Sequence, residues 1–100
     1  MKASKFAVIG VGRYGYTIAS NLAEKGAQVF AFDPKEEKIE RIKDEVAFAV
    51  TLDATDIRSL KPQNLEKMDA AVVAIGENFE ATVLTCVHLL DIGVKRVIAR

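Results

Sequence analysis

Two hydrophobic rhythms alternate along the chain. Phe6-Ala7-Val8-Ile9 is a short apolar run stopped by Gly10, the pattern of a strand covered on both faces. Over residues 14–25 the apolar positions Ile18, Ala19, Leu22 and Ala23 recur at helical spacing, and Gly26 supplies the stop. Residues 28–32 read as a second strand, after which Pro34 opens a charged helix with Ile39 and Ile42 on its inner side. A third strand falls at 46–50, and a short helix over 55–65 is interrupted near Pro62. Residues 70–75 form the most hydrophobic strand and end at Gly76. A helix over 78–90 follows, with Phe79, Val83, Cys86, Val87 and Leu90 as its expected buried side, and residues 96–99 give a fifth strand.

Strands alternating with helices imply right-handed crossovers and a parallel sheet. The expected fold is α/β, a Rossmann-like doubly wound parallel sheet of strand order 3-2-1-4-5. A full dinucleotide fold has a sixth strand, for which no residues remain after Arg100, so the sixth strand is expected to be missing. This reading makes residues 1–100 a domain from a longer protein, with an exposed sheet edge able to pair with another chain.

Composition narrows the function. Fourteen basic side chains balance fourteen acidic ones, a neutral field that does not attract nucleic acid. No apolar run is long enough to span a bilayer, and the N-terminal residues lack a signal-peptide pattern. A single cysteine, Cys86, fits a reducing compartment, so a cytoplasmic domain is expected.

The main chemical feature is Gly10-Val11-Gly12-Arg13-Tyr14-Gly15, a G-x-G-x-x-G run between a strand and a helix. In this context Gly10 permits the tight turn, Gly12 lets a pyrophosphate approach the backbone, and Gly15 lets the helix pack on the sheet. The free amides of the helix start then face the phosphates, aided by the helix dipole. Asp33 closes the second strand eighteen residues beyond Gly15, where a carboxylate accepts from ribose hydroxyls and disfavours a 2′-phosphate. A second reading of Asp33-Pro34-Lys35-Glu36 is a helix cap with proline at the first helical position. Arg13 is either a solvated charge or a clamp for a terminal phosphate. Tyr14 either lines the site or packs.

Two further turns lie at the same sheet edge. Asp53-Ala54-Thr55 follows the third strand, where Asp53 or Thr55 caps the short helix and the backbone is placed to read an adenine edge. Ala74-Ile75-Gly76 ends the fourth strand beside the topological switch point, with Asn78 as a helix cap. No catalytic set emerges: His88 reads as a surface or interface residue, Cys86 as core filling, and no Cys/His metal spacing occurs.

The motifs together resemble a known family. F-A-V-I-G-V-G-R-Y-G, the acidic end of the second strand, D-A-T-D after the third and D-A-A-V-V-A-I-G-E-N after the fourth are similar to the N-terminal RCK (regulator of conductance of potassium) domain, also called TrkA-N. Such domains form cytosolic regulatory subunits of bacterial Trk- and Ktr-type potassium uptake systems. The resemblance implies non-catalytic binding of an adenine nucleotide, ATP/ADP or NAD(H), in a homodimer that builds larger rings beneath a membrane potassium transporter or channel. It also implies phosphates at Gly10, Gly12 and Gly15, a terminal phosphate near Arg13, ribose at Asp33, and adenine around Asp53, Ala54 and Thr55. The turn usually reads G-D-A-T, and Leu52 here replaces that glycine. The competing class is an enzyme, the cofactor half of an NAD-dependent dehydrogenase, which the glycine run and Asp33 fit equally well.

Overall fold

The computed structural model describes residues 3–100. Its sheet has five parallel strands in the order β3-β2-β1-β4-β5, as the alternation of elements requires. The strands are β1 (Lys5–Ile9), β2 (Gln28–Asp33), β3 (Phe48–Thr51), β4 (Ala70–Val73) and β5 (Val97–Ala99). The helices are α1 (Arg13–Glu24), α2 (Glu36–Ile42), α3 (Ile57–Leu60) and α4 (Phe79–Ile92), with 3₁₀ turns at Lys61–Gln63 and Leu65–Lys67. The central strand β1 pairs on both sides, Ile9 meeting Phe32 of β2 and Val73 of β4.

The period of two along the strands sends successive side chains to opposite faces, and two cores result. Val8, Val29 and Ala31 pack beneath α1 and α2 with Val11, Ala19, Ile39 and Ile42. On the other face Ala7, Ile9, Phe32, Ala71 and Val73 pack with Leu60, Leu65, Met68 and Leu89. Helices therefore cover both faces, and every chain turn that follows a strand is delivered to one edge of the sheet. At the β2–β3 border Phe30 and Phe48 stack with ring centres 5.2 Å apart.

Several element bounds and caps differ from the sequence expectations. The third strand runs Phe48–Thr51 rather than 46–50, and the fourth stops at Val73 before Ala74 and Ile75. Helix α2 begins at Glu36, not Pro34, because the Asp33 carboxylate takes the Lys35 N–H and holds residues 33–35 in a turn. Helix α3 is capped by Asp56, whose side chain accepts from the Arg58 N–H at 3.0 Å; neither Asp53 nor Thr55 is the cap. The hydrogen bonds from Arg58 also hold the Asp56 carboxyl below its ordinary range.

The largest correction concerns α4. Phe79, Val83, Val87 and Leu90, expected inside, are exposed, together with Leu84. The buried face is instead Thr82, Thr85 and Leu89, with half-buried Cys86 and Ile92 against the same core. The helix is apolar around most of its circumference, so periodicity alone does not choose a face. The crossover from β4 chooses it: Asn78 caps the helix, as expected, by accepting from the Ala81 N–H at 3.0 Å, and this sets the rotation of the first turn. Cys86 does pack on the core, and burial pushes its thiol pKa up.

Candidate functional site

The site is assembled where β1 gives way to α1. Gly10 has φ +94°, a conformation that side chains resist. A Cβ there would sit 2.6 Å from the Ala74 carbonyl oxygen, so the turn is pressed against the end of β4. Backbone bonds pin it on both sides: Gly10 N–H donates to Phe32 at 2.7 Å, and Ala74 N–H donates to Ile9 at 2.8 Å. At Gly15 a Cβ would fall 1.7 Å from the Gly10 carbonyl oxygen. Both glycines are thus demanded by the fold of the protein itself.

Gly12 differs. Its φ of −72° suits any residue, and a Cβ there would meet nothing nearer than the Lys38 ammonium at 3.6 Å. Protein packing does not explain its missing side chain, whereas close approach of a ligand does. The N–H groups of Gly12, Arg13 and Tyr14 have no acceptor among the described residues, as expected for the first turn of a helix. They open onto the cleft together with the positive end of the twelve-residue α1.

Asp33 is buried and engaged at both oxygens. Oδ2 accepts from the Val11 N–H at 2.9 Å and Oδ1 from the Lys35 N–H at 2.8 Å. The carboxylate therefore fastens the turn after β1 to the turn after β2 through two charge-assisted bonds. Each oxygen keeps a further lone pair for a ribose hydroxyl. This link between the turns was not visible in the sequence, where Asp33 was read as a ribose acceptor or a helix cap.

A cleft of about 660 Å³ opens along this edge. The cleft brings together Gly10, Gly12, Arg13 and Tyr14 with Asp33, Pro34 and Lys35, then Asp53, Ala54 and Thr55, and finally Ala74, Ile75 and Gly76. Of the candidate residues, Val11 and Gly15 do not line it: Val11 is buried beneath α1, and Gly15 faces the Gly10 carbonyl. Arg13 is exposed and has no carboxylate partner among the described residues. The Tyr14 ring lies under the Arg100 guanidinium at 3.9 Å and edges the opening.

The turn after β3 is ordered from within. Asp53 Oδ1 accepts from the Thr55 N–H at 2.9 Å and the Thr55 hydroxyl at 2.6 Å. Its Ala54 carbonyl lies 3.3 Å from Nδ1 of His88, which ties the turn to α4. His88, read from sequence as a surface or interface residue, is half-buried in this role. Lys38, Leu52, Asn78 and Ala81 also line the cleft, although the sequence reading places Leu52 only as the residue standing for a glycine and Asn78 only as a helix cap. Lys38 had a signal, its place one helical turn after the end of β2, but no spacing rule shows that its ammonium folds back over Gly12.

A glycine-rich turn at a helix start, an acidic end to β2 and a cleft at the switch point together define a Rossmann-type site. Comparison with known proteins narrows the class. The TrkA-N domain model matches residues 6–100, and the chain belongs to the TrkA-N family. The Ktr system potassium uptake protein C of Bacillus subtilis is 41% identical over 93 residues, covering 93% of this chain and 42% of that protein. The Ktr system potassium uptake protein A of the same organism is 33% identical, covering 97% of this chain and 44% of its own length. The chain therefore spans less than half the length of these curated relatives. Among solved structures, the NAD(P)-binding domain of an exopolyphosphatase-related protein from Archaeoglobus fulgidus superposes with a TM-score of 0.82 at 29% identity, over 93% of this chain and 70% of that one. A saccharopine dehydrogenase from Saccharomyces cerevisiae has a TM-score of 0.79 at 16% identity, covering 97% of this chain and 21% of that one, which speaks to the fold alone.

Proposed function

We propose that this chain is the nucleotide-sensing domain of a regulatory protein that controls a membrane potassium transporter or channel, without being an enzyme. An adenine nucleotide, ATP/ADP or NAD(H), occupies the cleft, with its phosphates over the first turn of α1 and a ribose at Asp33. The observation that carries this reading is Gly12: its side chain is dispensed with where the protein leaves room, beside amides that have no acceptor. The 41% identity to a potassium uptake protein supports the choice of system.

A sensor needs two states that bind its ligand unequally, and a ring of subunits beneath the membrane provides them. In this reading the chain works in the cytoplasm at the inner membrane face, as a homodimer within such a ring. The exposed stripe of Phe79, Val83, Val87 and Leu90 supports contact with a second copy, because it is apolar and none of its four residues lines the cleft. No helix of the described residues is long and apolar enough to cross a membrane; in this reading the link to the pore runs through a partner.

Calorimetric titration with ATP, ADP and NADH tests the reading. At least one specific, saturable event is expected, and three flat titrations on folded protein would overturn it. Arg13→Ala separates the sensor from the dehydrogenase half: selective loss of ATP affinity is the sensor's result, and unchanged affinity for all three is the enzyme's.

A further inference from the structure

Helix α4 is apolar around most of its circumference, yet at position 88 it carries the chain's single histidine, flanked by Val87, Leu89 and Leu90. The ring is half-buried, and its one polar partner among the described residues is the Ala54 carbonyl, 3.3 Å from Nδ1 and 34 positions back in the chain. A carbonyl oxygen only accepts, so Nδ1 carries the hydrogen of this bond. The turn it meets, residues 52–56, is tied to β2 at its first residue, where the Leu52 N–H donates to the Asp33 carbonyl at 3.1 Å. Its side chains bond locally: Asp53 holds Thr55, and Asp56 holds Arg58 at the start of α3. Among the described residues, His88 is thus the only side chain of a distant element that hydrogen-bonds this turn. The bonding also separates the turn's two kinds of backbone group. The Asp53 carbonyl accepts from the Asp56 N–H at 3.1 Å and the Ala54 carbonyl from His88. The N–H groups of Asp53 and Ala54 have no acceptor among the described residues, and both residues line the cleft.

We infer that His88 is a positioning residue for base recognition: by holding the Ala54 carbonyl it fixes this turn with its backbone donors unengaged at the cleft wall. The site then takes a purine with a lone pair at ring nitrogen N1, as adenine has, and rejects one with an N1–H, as hypoxanthine and guanine have. The inference rests on the nucleotide reading above and adds what enforces the choice of base. An N–H set against an N1 lone pair makes a hydrogen bond; set against an N1–H, it leaves two donors facing each other without acceptors. Without the ring's donor, the carbonyl of the buried Ala54 loses its partner, and the turn is free to swing that acceptor toward an N1–H. Loss of His88 therefore relaxes the choice of base and leaves binding in place, because the free amides of residues 12–14 and the Asp33 carboxylate belong to other turns.

The test is calorimetric titration with ATP against inosine triphosphate, and with NADH against its hypoxanthine analogue; each pair differs only in the group on C6 and the hydrogen on N1. The parent is expected to favour the adenine member of whichever pair binds by at least about tenfold. In His88→Leu, which keeps an apolar side chain and lacks the donor, that ratio falls to within about threefold. His88→Asn, whose amide nitrogen takes the place of Nδ1, restores the ratio to within about twofold of the parent's. No preference in the parent, or a ratio that persists in His88→Leu, overturns the positioning role and leaves the nucleotide reading intact. Flat titrations with all of these ligands overturn the nucleotide reading, and the role of His88 in base choice falls with it. A second measurement needs neither ligand nor variant. Because His88 is the chain's single histidine, long-range proton–nitrogen NMR reads its ring directly in mildly alkaline buffer, where imidazole is neutral. Hydrogen on Nδ1 is expected, and hydrogen on Nε2 overturns the inference.

Discussion

The β1–α1–β2 unit and the β4–α4–β5 unit share one topology and treat their helices in opposite ways. In the first, α1 is locked to the sheet by backbone contacts: Gly15 lies where any Cβ would enter the Gly10 carbonyl, and Asp33 clamps the turn from the next strand. In the second, α4 turns Thr82 and Thr85 inward and leaves an apolar stripe outside. The first unit is determined by contacts inside the chain. The second leaves a buried Thr85 hydroxyl without a hydrogen-bond partner among the described residues. A fold can thus spend its tightest geometry on a ligand site and keep an element of the opposite half available for other contacts.

The contrast can be broken at its strongest point with Gly15→Ala. A methyl group 1.7 Å from a carbonyl oxygen forces α1 off the sheet, and destabilisation of about 4 kcal/mol or more is expected in urea unfolding. Near-wild-type stability would show that the turn is more pliant than described. Gly12→Ala sharpens the distinction between the two kinds of glycine in one turn. Its stability should stay within about 1 kcal/mol of the parent, while nucleotide affinity in calorimetry falls at least about tenfold. Equal losses in both measurements would assign Gly12 to packing instead.

In the other half, Thr85→Val removes a fully buried hydroxyl that has no partner among the described residues and keeps the shape of the side chain. A gain of about 1 kcal/mol is expected from thermal melts, since the desolvation cost of the hydroxyl disappears. Smallest in stability is Val87→Glu/Leu90→Glu, on the outer stripe, where a change within about 0.5 kcal/mol is expected. The same variant should shift the protein toward monomer in sedimentation velocity; an unchanged distribution would detach the stripe from self-association.

The same contrast explains what could be read from residues alone. Strand order and the glycine turn were legible because short apolar runs and glycine spacing are local signals. The cleft residues at the ends of β1, β2, β3 and β4 were legible for a topological reason: a parallel sheet carries those turns to one edge. The orientation of α4 was not, because Phe79, Val83, Val87 and Leu90 form as good an apolar stripe as the one that is buried. The cap at Asp56 and the role of His88 depend on partners fixed only in three dimensions. Lys38 shows the same limit, since its reach over Gly12 depends on the angle between α1 and α2.

The double engagement of Asp33 has a consequence for the thermodynamics of ligand capture. Two loops that border the cleft from different strands are already fastened to each other at 2.9 and 2.8 Å. Little loop entropy then remains to be lost on association, so more of each contact's free energy goes into affinity. The clamp also withdraws the Val11 N–H from competition, which leaves the amides of residues 12–14 as the donors open to a ligand. Asp33 thereby works as a preorganising element, holding the binding surface in shape before any ligand arrives.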